Sequence, residues 1–122
     1  MNMPIDYHID RTRSIIYSTG AGWLSVEEIS DLQHRAQRDP DFNPSFCQLH
    51  DFRAASFDLS YERIEHLART ALPKPGSRIA IVVGNTLSFG LARMFEAMRF
   101  ESGEEIGVFR EMGDAHTWLQ LE

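Results

Sequence analysis

The chain has 122 residues, which is room for one core but not for two of independent stability, so a single domain spanning 1–122 is expected. Its 43% hydrophobic and 25% charged residues fit a globular protein, and a net charge of −6 with no offsetting Lys/Arg cluster argues against nucleic acid binding. The longest apolar run, Ile79 to Val83, is far short of the roughly 20 residues of a membrane span. The N-terminus has no secretory pattern, and the single cysteine, Cys47, cannot form an internal disulfide, so a cytoplasmic location is the expectation.

Ile5, Tyr7 and Ile9 alternate with Asp6, His8 and Asp10, the period of a strand with one wet face. A turn at 10–12 leads to Ile15-Ile16-Tyr17, and the short separation predicts an antiparallel hairpin, its second strand ended by Gly20-Ala21-Gly22. Ser25 and Glu28 form the capping box of a first helix that buries Ile29, Leu32 and Ala36 and stops before Pro40. After a loop rich in Asp, Asn and Pro, Cys47 to Phe52 reads as a short central strand. Asp58 and Ser60 compete to cap a second helix with the stripe Ile64, Leu67, Ala68 and Ala71, closed by Pro73 and Pro75.

Ile79 to Val83 is apolar on both faces, as a strand covered on both sides requires. Asn85 or Thr86 caps a third helix expected to turn Leu87, Leu91, Met94, Phe95 and Met98 inward and to end near Gly103. Ile106 to Phe109 supplies a last strand and Met112 to Leu121 a last helix. The predicted class is α/β: an N-terminal β-hairpin, then alternating strands and helices, giving a mainly parallel or mixed five-stranded sheet with four helices.

Chemistry is harder to find. Gly20-x-Gly22 lacks a third glycine and follows a hairpin strand rather than opening a βαβ unit, so it reads as a tight strand exit and no cofactor is expected. No two of the five histidines have the i, i+4 spacing of a helical metal pair, and His50 and Asp51 point to opposite faces of one strand. Ser88, in TLSFG, lacks the glycine of a nucleophile elbow.

Ligands of open α/β sheets bind beyond the C-terminal strand ends. Asp51, Arg53, Ser56, Asp58 and Ser60 follow one strand, and Asn85 and Thr86 the next. Arg93 and Glu96 are spaced to pair. These groups read either as caps and rim ion pairs or as a shallow polar site in which Arg53 or Arg93 orients an anion or a partner's carboxylate. Phe42, Phe46, Phe52, Phe57, Phe89 and Phe100 fall in loops or near element ends, where they plug the sheet ends, line an apolar cavity or meet a second subunit.

Three strings carry a family resemblance: DPDFNPSFCQLHDFRAASFDLS (Asp39 to Ser60), AIVVGNTLSFGLARMFEAM (Ala80 to Met98) and VFREMGDAHTWL (Val108 to Leu119). With the element order, they resemble the bacterial STAS-like (SpoIIAA-like, STAS/SEC14) domains along the whole chain. The resemblance implies a regulatory protein-interaction module rather than an enzyme, with a protein partner or a homodimer. In STAS antagonists a serine in an Asp-Ser-Ser-Gly string is phosphorylated to switch partner binding; the counterpart here, Asp58-Leu59-Ser60-Tyr61, lacks the second serine and the glycine, so Ser60 reads as a plain N-cap rather than as that switch. The SEC14 side of the resemblance implies a small apolar, lipid-like ligand. The residues carried forward as a candidate binding site are Arg53, Asp58, Ser60, Asn85, Phe89 and Arg93, with no catalytic or metal residue.

Overall fold

The computed structural model describes residues 4–58, 60–71 and 76–121. Its elements are β1 (Ile5–Asp10), β2 (Ile15–Leu24), α1 (Val26–Gln37), β3 (Cys47–Phe57), α2 (Tyr61–Thr70), β4 (Arg78–Val83), α3 (Thr86–Met98), a 3-10 turn at Phe100–Ser102, β5 (Glu105–Phe109) and α4 (Met112–Leu119). This is the predicted order. The closing prolines of α2, Pro73 and Pro75, lie outside the described residues.

The five strands stand in the order β1-β2-β3-β4-β5, with β1 antiparallel to β2 and every later neighbour parallel. Crossovers of one hand between consecutive strands put their helices on one face. Accordingly α1, α2 and α3 all pack on the face that carries Ile5, Phe52 and Val83, through Ile29, Leu32, Leu67 and Ala92. Among the described residues, the other face is covered by α4, whose Ala115 and Leu119 meet Ile15, Leu49, Ala80 and Val82. Arg78 lies 4.2 Å over the Trp118 ring and fixes the outer side of α4. No helix among the described residues is long and apolar enough to cross a membrane.

The middle strands are longer than the sequence suggests. β2 runs through Gly20-Ala21-Gly22 to Leu24, and β3 runs on to Phe57. A register shift makes this work: Thr19 faces Asp51, but Ala21 faces Ala54, so β3 carries one extra residue. That bulge re-phases the strand. Phe52 before it and Ala55 and Phe57 after it all face the three-helix side. Gly20 is needed here because a Cβ would sit 2.8 Å from the Leu24 side chain.

Local signals set the helix starts. Ser25 and Glu28 close their capping box, and Ser60 and Asn85, rather than Asp58 and Thr86, cap α2 and α3. One expectation fails: Leu87 is not inward but 69% exposed, while Ser88 and Ala92 are the buried positions of α3. Leu87 occupies the first turn, beyond the end of β4, where there is no sheet beneath it.

Candidate functional site

The C-terminal ends of the parallel strands gather much of the polar set. Arg53 grips Asp51 through two bonds of 2.9 Å, Nε to Oδ1 and Nη2 to Oδ2. This fork holds the Asp51 carboxyl below the usual carboxylate range, chiefly through the Arg53 hydrogen bond, and raises the guanidinium in turn. The pair borders an open depression of about 490 Å³ with Thr19, Gly20 and Ala54. Gly84 passes so close to Arg53 that a Cβ would fall 2.2 Å from its carbonyl oxygen, which ties the end of β4 to the β3 bulge.

The remaining candidates sit nearby but are engaged locally. Ser60 Oγ accepts the Arg63 backbone N–H at 3.3 Å, and Arg63 also pairs with Asp58 at 3.3 Å. Asn85 Oδ1 accepts the Ser88 N–H at 2.8 Å. Phe89 packs against the three-helix core. Arg93 pairs with Glu96 at 3.2 Å, eight residues and therefore about 12 Å along α3 from its cap. Arg53, Asp58, Ser60 and Asn85 thus share one end of the sheet, whereas Arg93 lies farther along the helix.

That end also exposes apolar surface. Among the described residues, the large apolar side chains left mostly in solvent are Trp23 (72%), Leu87 (69%), Tyr61 (59%) and Phe100 (84%). Trp23 is the penultimate residue of β2, Tyr61 opens α2 after β3, and Leu87 opens α3 after β4. All three therefore stand at the C-terminal end of the parallel strands. Phe100, past the end of α3, stands at the opposite end.

A second feature lies inside. Between the sheet and its three helices is a partly open cavity of about 100 Å³, predominantly apolar, walled by side chains such as Phe52, Phe57, Leu67, Ile81 and Phe95. Two of the six surplus phenylalanines thus face it, packed edge to face at 5.5 Å. Polar groups meet it as well. Ser18 Oγ is hydrogen-bonded to His50 Nδ1, and His50 Nε2 to Gln48 Oε1 at 2.9 Å. Arg99 binds Glu104 through Nε at 2.9 Å and Nη2 at 2.6 Å, and its Nη1 donates to the Ala68 and Ala71 carbonyls at 2.9 Å each.

None of Ser18, Gln48, Arg99 and Glu104 stands among the candidates drawn from sequence. The signal for the first half was present, since Gln48, His50 and Phe52 alternate along one strand and must share a face. Nothing comparable pointed to Arg99 and Glu104, which meet only because Gly103 turns the chain in the left-handed region at φ 86°.

No family model and no curated protein matches the sequence. Among solved structures, the chain is similar to an uncharacterised protein of the DUF3478 family from Shewanella loihica that has a SpoIIAA-like fold: 20% identity over 98% of this chain and 97% of that one, with a TM-score of 0.60. The fold is SpoIIAA-like, as the resemblance in the sequence implied.

Proposed function

We propose that the protein is a non-enzymatic regulatory module of STAS-like fold that binds another protein, or a second copy of itself, through the C-terminal end of its sheet. The observation that carries this reading is the exposure of Trp23, Tyr61 and Leu87 at that one end. Aromatic side chains bury 150–250 Å² each at interfaces and dominate their energetics. The Asp51–Arg53 fork beside them supplies a polar rim. A non-catalytic role is supported by the division of the titratable groups: His50 faces the cavity, while Asp51 and Arg53 border the depression.

Affinity capture from the native host tests it. Wild-type protein should retain a partner that Trp23→Ser/Leu87→Ser loses by roughly thirtyfold or more, the equivalent of about 2 kcal/mol for an interface anchor, while thermal stability stays unchanged. Equal retention by both proteins would count against the reading.

A second reading, binding of a small apolar ligand, is favoured by the cavity between the sheet and its helices. It is compatible with the first, because the cavity lies under the helices and leaves the strand ends free.

A further inference from the structure

We infer that the cavity is a site for a small neutral molecule with an apolar body and a single hydroxyl, held by the Gln48 amide at the end of the Ser18–His50–Gln48 chain. This rests on the ligand-binding reading above and names the chemistry of the ligand. The carrying observation is Gln48. It is 6% exposed and lines the cavity, and its carboxamide oxygen is taken by His50, yet its NH2 group donates to nothing among the described residues. A donor at the cavity wall with no protein partner is satisfied by whatever fills the cavity, so it marks a place where a ligand or water belongs.

The direction of the chain sets the ligand's polar group. Ser18 can donate or accept, so its bond to His50 permits either imidazole tautomer. With the proton on Nε2, His50 donates to the Gln48 carbonyl and the NH2 faces the cavity; with the amide turned over and the proton on Nδ1, the carbonyl does. A hydroxyl satisfies both states, because it accepts from the first and donates to the second.

Charge and size set the rest. The charged groups at the wall, Arg99 and Glu104, neutralise each other, so a charged ligand would be buried beside no countercharge left over. The volume of about 100 Å³ is two-thirds of the roughly 150 Å³ of an engineered cavity that holds six-carbon benzene, so its enclosed part takes about four non-hydrogen atoms, and the rest of a five- or six-atom ligand lies in the open mouth. Three waters could occupy the same volume at roughly 30 Å³ each, but water needs two to four polar partners and most of the wall is apolar.

Cyclopentanol and its apolar counterpart cyclopentane are suitable probes, each titrated to its solubility limit against protein labelled at the isoleucine and leucine methyl groups. Methyl resonances of Ile79, Ile81 and Leu91 should shift with both compounds, and cyclopentanol should bind about five- to tenfold tighter, the value of one net hydrogen bond. Gln48→Met should abolish that preference while keeping cyclopentane binding. Should the variant not fold, a crystal structure of the wild type with cyclopentanol answers the same question, by whether the hydroxyl lies within about 3.2 Å of the Gln48 amide. Equal affinities in the wild type, or a hydroxyl bound elsewhere, would overturn the inference and leave cavity binding intact. No methyl shift with either compound would overturn both.

Discussion

Replacing Arg99 by Met should be among the most damaging single changes in the molecule. Its guanidinium closes three elements at once: it pairs with Glu104 ahead of β5, it leaves α3 at the C-cap, and it binds the Ala68 and Ala71 carbonyls at the end of α2. Those carbonyls belong to the set a helix end cannot satisfy internally. Side-chain exposures of 7% for Arg99 and 2% for Glu104 place the pair well inside. Removing one partner strands a buried carboxylate and costs about 3–5 kcal/mol, against a total stability of about 5–15 kcal/mol for such a domain. Urea unfolding should show that loss, and thermal melting a fall of roughly 10–20 °C at about 3–5 °C per kcal/mol for this chain length. Arg99→Met/Glu104→Leu should recover part of it, because an apolar pair leaves no unpaired charge. A single-variant cost below about 1 kcal/mol, as for an exposed ion pair, with no recovery in the double variant, would refute the reasoning.

Gly84→Ala should destabilise by about 1–3 kcal/mol, since its Cβ would fall 2.2 Å from the Arg53 carbonyl oxygen and backbone must move. Gly90→Ala, inside α3 with open space around the added carbon, should instead stabilise by about 0.5–1 kcal/mol; urea midpoints of the two variants test the opposed signs. Asp51, with its folded pKa depressed by Arg53, contributes stability above the unfolded carboxylate value of about 3.9 and loses it as pH falls through the folded value. Arg53→Gln should therefore raise the Asp51 midpoint seen by NMR toward the ordinary value; an unchanged midpoint would remove that account. Ser25→Ala should cost about 1 kcal/mol by opening the α1 capping box, measured by chemical denaturation.

Much of the fold was legible because each element carries its own local signal. Alternation marked β1, the capping box marked α1, and the run Ile79 to Val83 marked a strand covered on both sides. The true ends of β2 and β3 were not legible. Gly20-Ala21-Gly22 looks like a stop, but here the glycines admit the Leu24 side chain and a left-handed residue within a continuing strand. Leu87 was misplaced because helical periodicity says which residues share a face, not where the sheet beneath that face ends.

The candidate site divides in the same way. The strand-end group of Arg53, Asp58, Ser60 and Asn85 follows from topology, so sequence order sufficed to bring it together. The cavity depends on how three helices settle on the sheet, and on Arg99 reaching back about thirty residues to α2, which no local pattern encodes.

Site-specific photo-crosslinking in the native host is the most direct measurement of the proposed interaction. A photoreactive residue in place of Trp23 or Leu87 should crosslink to a discrete protein, or to a second copy of the chain, whereas the same residue in place of Phe100 at the opposite end should not. Silence at positions 23 and 87, or equal crosslinking from position 100, would contradict an interaction surface at the C-terminal end of the sheet.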